Sequence, residues 1–303
     1  MIDSGLVSII MATYNRSKFI KESLFAIQQQ TFSNWECLII DDGSIDHTES
    51  VVNDFIIKDN RFRYLKRSNR YKKGLPGSRN MGIDLSKGKY IIFFDDDDIP
   101  HPKNLEICLA HFLPEISYVR YLRSVFYGDF NYNFSENKEY DVSVLNRSVI
   151  QDMVIQKIPF NSCQVMWRKK CFEGNKFNES LMFAEEWECY SRILMQKEIS
   201  GVSLEKVLFY ARKHENSNTG EYLSKNKLRL NSKEEACRQV ISNLKQNGLF
   251  NKTVQKHFLQ LAFRIGSFKV LSHTLQKGDY NYLEQIKYLT GFLIYPVLRK
   301  LKS

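Results

Sequence analysis

Short runs of β-branched and aromatic residues recur through the first hundred positions, and each stops at a polar or acidic cluster. Val7-Ser8-Ile9-Ile10-Met11 runs into Ala12-Thr13-Tyr14-Asn15, Leu38-Ile39-Ile40 into Asp41-Asp42-Gly43-Ser44, and Ile91-Ile92-Phe93-Phe94 into Asp95-Asp96-Asp97-Asp98. Runs this short and this apolar read as strands buried on both faces. Stretches with helical spacing lie between them. Phe19, Ile20, Leu24 and Ile27 follow Ser17 as an expected N-cap, a second helix opens at Asp46-His47-Thr48 and runs to about residue 57, and a third covers 78–85 after the turn-forming Gly74-Leu75-Pro76-Gly77. A short strand at 62–65 completes the alternation. Such alternation requires right-handed crossovers and a mostly parallel sheet with helices on both faces. Ligands bind such sheets beyond the carboxyl ends of the strands, so the three polar clusters are expected on one rim.

Four adjacent aspartates repel one another, and partial burial raises that cost. A divalent cation offsets it, and hard carboxylate oxygens suit Mg²⁺ or Mn²⁺, commonly held by one or two carboxylates together with substrate phosphates. The chain has no GxGxxG after its first strand and no GxxxxGK[ST], so dinucleotide and P-loop phosphate binding are unsupported. It also lacks a GxSxG elbow and a His-Glu-x-x-His pair.

Beyond residue 113 the pattern loosens. Residues 114–159 are aromatic and irregular, a strand is expected around Gln164-Val165-Met166-Trp167, and a helix from about 185 to 196. From residue 222 the chain reads as helices alone, over 233–247, 254–275 and 282–301, broken at Gly248 and at Lys277-Gly278-Asp279. We therefore expect an α/β domain over 1–221, with a nucleotide-binding half (1–113) and an acceptor-binding half (114–221), and a helical region over 222–303. Of the chain's net +10, the region 222–303 carries +11, from fifteen Lys/Arg against four Asp/Glu. Basic tails suit anionic partners such as nucleic acid or an anionic lipid surface. The apolar run 288–298, ending in Arg299-Lys300-Leu301-Lys302, fits a headgroup layer, and fits equally a helix packed on the body or on a second subunit. No stretch approaches the roughly 18 apolar residues of a membrane span. No secretory signal is visible in Met1-Ile2-Asp3-Ser4-Gly5, so a cytoplasmic protein, peripheral on the inner membrane face if the tail binds lipid, is expected. Six scattered cysteines without a CxxC pair read as reduced, buried small hydrophobes.

The motifs now resemble a known family, the inverting nucleotide-sugar glycosyltransferases of family 2 with the GT-A fold, of the bacterial surface-polysaccharide type. The resemblance is carried by residues 7–16, by Leu38-Ile39-Ile40-Asp41-Asp42-Gly43-Ser44 through Thr48, by Gly77-Ser78-Arg79-Asn80-Met81-Gly82 and by residues 94–102. It implies that Ala12, Thr13 and Tyr14 line the nucleotide pocket, that Asp42 accepts from the base, typically uracil N3–H of UDP, and that Arg79 lies beside it. The family's Asp-x-Asp signature falls on Asp95-Asp96-Asp97, which implies Asp97 as the direct Mn²⁺ or Mg²⁺ ligand, Asp95 as a second ligand, and Asp95 and Asp96 near the ribose and sugar. Further on, Ala184-Glu185-Glu186-Trp187 resembles the acidic motif that faces the acceptor. Glu186 falls where the family has its catalytic base, and the choice between Glu186 and Glu185 stays open, with Glu188 a structural residue one turn along. Phe209-Tyr210-Ala211-Arg212-Lys213-His214-Glu215-Asn216-Ser217 resembles the segment that closes the site, implying His214 near the diphosphate or metal and Arg212 near the phosphates.

The expected activity is metal-dependent, inverting transfer of a sugar from a nucleotide-sugar donor, UDP-linked by resemblance, onto a hydroxyl of a glycan or lipid-linked saccharide. Homo-oligomerisation is left open. Two rivals are weighed. A nucleotidyltransferase making the sugar nucleotide would want a Gly-rich, Arg-bearing phosphate loop after the first strand, which Thr13-Tyr14-Asn15-Arg16 is not. A nucleic-acid-binding protein using the basic tail would need a recognisable module, and none is present, so no nucleic-acid partner is expected.

Overall fold

The computed structural model describes residues 5–134, 139–214 and 218–300. Glu215, Asn216 and Ser217 of the closing segment, and Leu301 and Lys302 of the tail, lie outside the described residues. Along the chain run β1 (Val7–Thr13), α1 (Ile20–Gln28), β2 (Trp35–Asp41), α2 (Thr48–Ile56), β3 (Phe62–Lys66), α3 (Leu75–Leu85), β4 (Tyr90–Phe93), β5 (Ile99–Pro100) and α4 (Asn104–Ala110). Then come β6 (Tyr118–Phe126), β7 (Val142–Leu145), α5 (Val149–Val154), β8 (Val165–Arg168), α6 (Glu185–Leu194), β9 (Gly201–Arg212) and α7 (Asn218–Leu223). The chain ends in α8 (Lys227–Gln246), α9 (Lys252–Ile265), α10 (Phe268–Lys277) and α11 (Tyr282–Lys300).

One sheet of order β3-β2-β1-β4-β8-β6-β9-β5 organises the molecule, with β7 also on β9. The first four strands are parallel, and β6 pairs in parallel with β9. Antiparallel joins attach β8 to β4 and β6, and β5 and β7 to β9. The apolar runs are explained by two-sided burial. From β1, Val7, Ile9 and Met11 face α1, α2 and α4, while Ile10 faces the opposite core; from β4, Tyr90 and Ile92 go one way and Ile91 and Phe93 the other.

Two expectations change. Ser17 does not cap the first helix, whose first residue is Ile20; the Ser17 N–H instead donates to Asp46 (3.0 Å), tying this loop to the one that opens α2. The expected helix over 254–275 is two helices, because Gly266 turns left-handed (φ 67°) and Ser267 caps α10 through the Val270 N–H. The tail's packing is also defined: Val240, Ile241, Phe258 and Leu271 of α8–α10 share one buried cluster with Trp167 of β8 and Trp187 of α6. All six cysteines are free and buried. Among the described residues no helix is long and apolar enough to cross a membrane.

Candidate active site

A cavity of about 620 Å³ opens at the carboxyl ends of β1, β2 and β4 and extends toward α6. Its walls include Ala12, Thr13, Tyr14, Asp42 and Arg79, all four aspartates 95–98, and both Glu185 and Glu186. The rim expected from the strand ends is therefore a single site.

The loops after β1 and β2 are stitched together. Asp41 accepts from the Ser44 N–H and hydroxyl, the Ser44 hydroxyl accepts from the Asn15 N–H (2.9 Å), and Asn15 accepts in turn from the Ile45 N–H (2.9 Å). Asn15 itself sits at φ 51°, a left-handed conformation that asparagine visits more readily than most residues. Asp42 is gripped twice, by the Arg67 guanidinium and by the Gly74 N–H (2.9 Å). Gly74 has φ 123°, and a Cβ there would sit 2.7 Å from the Met182 methyl, so only glycine brings this N–H to Asp42.

Arg79 is the central cation. Buried on α3, it donates to Asp95 (3.1 Å), Glu185 (3.1 Å) and the Ser162 hydroxyl (2.8 Å), joining the aspartate run after β4 to the first turn of α6. Arg79 lines the cavity together with Thr13, Tyr14 and Asp42; its bridging role does not follow from sequence, since Glu185 lies 106 residues away.

The four aspartates face different ways. Asp95 turns to Arg79, and Asp96 accepts from Arg16 (3.2 Å). Asp97 meets His214 Nε2 (2.8 Å), and buried Asp98 accepts from the Arg212 main-chain N–H (2.7 Å). Burial raises Asp96 to about 7, with Asp97 adding and Arg16 opposing. Asp95 and Asp98 are raised as well, first by burial and then by neighbouring aspartates. Such an excess of acid is the environment a divalent cation neutralises, and Asp95 and Asp97, both in the cavity wall, carry suitably hard oxygen donors.

The expected ligands Asp95, Asp97 and His214 are placed as follows. The trio whose ligand atoms lie within 4.8 Å of one another, among the described residues, is Asp95, Asp98 and Cys163; Asp95, Asp97 and His214 do not form one. His214 stands behind Asp97, stacked on Phe19 (5.1 Å), and is absent from the cavity wall. Arg212 lines the cavity, and its guanidinium donates to the carbonyls of Asp97 and Gly128 and to Glu22 (2.7 Å).

On the acceptor side, Ala184 adopts a left-handed conformation (φ 62°) and launches α6 with Glu185 and Glu186 in its first turn. The strained turn is clamped by α8. The Ser232 hydroxyl accepts from the Phe183 N–H and donates to its carbonyl (both 2.9 Å), Arg229 donates to the Met182 carbonyl, and Lys233 lies 4.1 Å over the Trp187 ring. Glu185 is buried and pushed up to about 8, by burial first and then by Glu186, with Arg79 opposing. Glu186 is the more open of the two. Glu188 pairs with Arg192 (2.7 Å) beneath the helix, as its structural reading anticipates.

Sequence reasoning missed Arg16, Arg67 and Arg123. Arg16 stands inside a quoted motif but carried no role; Arg67 and the cavity-lining Arg123 of β6 lie in unremarkable sequence.

The sequence profile of glycosyl transferase family 2 matches residues 8–173. The chain is 31% identical over 214 residues to the UDP-Glc:alpha-D-GlcNAc-diphosphoundecaprenol beta-1,3-glucosyltransferase WfgD of Escherichia coli, covering 67% of this chain and 75% of that one. To the glycosyltransferase GlyG of Streptococcus pneumoniae serotype 4 it is 31% identical over 155 residues, 51% of this chain and 49% of the relative. Among solved structures, S. aureus TarS 1-349 in complex with UDP-GlcNAc superposes with a TM-score of 0.64 at 19% identity, covering 95% of this chain and 81% of that one. The mannosyltransferase PcManGT from Pyrobaculum calidifontis, in complex with GDP-Man and Mn²⁺, gives 0.54 at 13% identity, over 98% and 87%. These structural likenesses concern the fold.

Proposed function

The chain belongs to glycosyl transferase family 2 and is a glycosyltransferase, and from that premise we propose that it transfers a sugar from a UDP-sugar, with inversion and with a divalent cation, onto a hydroxyl of a glycan or lipid-linked saccharide. The nucleotidyltransferase and nucleic-acid-binding readings are dropped with the family established. One observation carries the proposal: Asp42, Arg79, Asp95, Asp97 and Glu186 share one cavity at the strand ends. The donor class draws support from the TarS complex with UDP-GlcNAc, and the acceptor class from the diphosphoundecaprenol-linked substrate in the name of WfgD.

In this mechanism Asp42, held by Arg67 and Gly74, presents free lone pairs to the N3–H of uracil, and the half-exposed Tyr14 ring offers a stacking face. Asp97 and Asp95 would hold Mn²⁺ or Mg²⁺, which when bound supplies the positive charge that stabilises the departing nucleoside diphosphate. Glu186 accepts the proton of the acceptor hydroxyl as its oxygen attacks the anomeric carbon from the side opposite the leaving phosphate, a single displacement that inverts the centre. Glu185, largely protonated at neutral pH and hydrogen-bonded to Arg79, spares Glu186 a second adjacent negative charge. Calorimetric titration of UDP with Mn²⁺ tests the donor site, and proton NMR of the product formed from a panel of UDP-sugars reads the anomeric configuration. UDP binding that is indifferent to Mn²⁺, or a retained configuration, overturns the corresponding part.

A further inference from the structure

The last described helix is packed on one side only. Tyr288, Leu289 and Phe292 of α11 face the core, with Phe292 against Phe263 (5.3 Å) and Phe268 (6.1 Å). The opposite side is apolar too. Tyr282 is 77% exposed, Leu283 76% and Leu293 72%, with Ile286 and Ile294 also exposed. At 3.6 residues per turn these five fall within about 120° of the helix circumference, a stripe running roughly 18 Å along the axis. Exposed Lys287 borders the stripe, and the sequence continues with Arg299, Lys300 and Lys302. Apolar residues scattered singly need no explanation; five on one face of one helix, with Thr290 the only polar residue among them in the described stretch 282–294, do.

We propose that this outer face of α11 docks in the plane of an anionic lipid surface, its apolar stripe in the acyl boundary, with the positive charge of residues 222–303 drawing the region to the headgroups. Charge is the discriminating argument. Residues 222–303 carry +11, whereas the first 221 carry −1, so attraction to an anionic surface is concentrated on the region that bears the stripe. A stripe one helix wide falls far short of the roughly 800 Å² per partner of a stable protein interface, but it suits an in-plane amphipathic helix. The helix lies on the surface, since no described helix can cross a membrane. The inference is independent of the reaction chemistry assigned above.

The test uses the full chain and extruded vesicles of phosphatidylcholine, with or without phosphatidylglycerol, in cosedimentation at low and high salt. The expected result is binding to the phosphatidylglycerol vesicles that weakens at least about tenfold at high salt, where charge attraction is screened, and equally in a Leu283→Glu, Leu293→Glu double variant. Both positions are exposed, so the variant keeps its circular dichroism and its UDP affinity. Equal binding to neutral vesicles, no binding to either, or a variant that binds as well as the parent overturns the proposal. So does light scattering that shows a dimer dissociated by the double variant, which would make a second copy the occupant.

Discussion

Two adjacent glutamates in one helical turn have different surroundings, and the difference assigns them different work. Glu185 is buried, bonded to Arg79 and pushed up to about 8 by burial, whereas Glu186 opens on the cavity. Glu186→Gln preserves shape but removes the proton acceptor, so turnover of the UDP-sugar should fall by about 10²-fold or more while the UDP dissociation constant barely moves. Should Glu185→Gln be the variant that does this, the assignment is reversed. Asp42→Ala is expected to weaken UDP by the loss of a hydrogen bond to a charged group, about 1.5–3 kcal/mol, or roughly ten- to a hundredfold in calorimetry. An unaltered dissociation constant would put the base elsewhere. Asp97→Ala should abolish the Mn²⁺ dependence of UDP binding, and full turnover in EDTA would contradict the metal's role. The acidic residues were legible because each follows a strand end or opens a helix. Their arginine partners were not: Arg67 reaches Asp42 across 25 residues and Arg16 reaches Asp96 across 80, and nothing local in a sequence announces such a pairing.

Elements were legible where one physical cause dominated. The runs of β1, β2 and β4 are buried almost throughout and mostly apolar because helices cover both faces, and that pattern survives without neighbours. The twelve-residue β9 was not anticipated as a strand. Its pairing with β6 carries register shifts around Leu122, and it serves β6 on one side and both β5 and β7 on the other, so its burial follows no simple period. Glycines report another kind of constraint, the distance between elements. A Cβ on Gly82 of α3 would lie 2.4 Å from Ile10 Cγ2 of β1, so this glycine sets how closely the helix carrying Arg79 approaches the central strand. Gly82→Ala should therefore destabilise the fold by about 1–3 kcal/mol, the usual cost of overpacking, against any gain in helix propensity. Urea unfolding measures it, and a variant as stable as the parent would mean that Ile10 yields freely. The clamp of α8 on the turn before α6 belongs to this scale as well, for it makes the C-terminal helices part of what aims Glu186.

Across the whole molecule, folding takes up protons that the unfolded chain has released, and stability should therefore depend on pH in a defined direction. Asp96 is raised to about 7 and Glu185 to about 8, with Asp95 and Asp98 raised beside them, whereas ordinary carboxyls ionise near pH 4. Wherever the folded state holds the extra protons, stability falls as pH rises. Toward lower pH, partly buried histidines oppose this: His257 is lowered to about 4, and His111 and His273 are also lowered, mainly by burial, so the unfolded chain gains protons there that the folded one refuses. At pH 6.5 an ordinary histidine is still half protonated in the unfolded chain and by pH 8 it is nearly neutral, so the histidines' opposition fades over that interval and the raised carboxyls come to dominate. Metal-free protein should thus lose unfolding free energy steadily across that interval in urea titrations. Glu185→Gln, which cannot release a proton, should flatten part of the decline and be most stabilised relative to the parent at pH 8. A stability that rises or stays level from pH 6.5 to 8 would mean that these carboxyls are ionised in the folded protein throughout. Mn²⁺ should act in the opposite sense, stabilising more at pH 8 than at pH 6.5, because it competes with protons for the same oxygens.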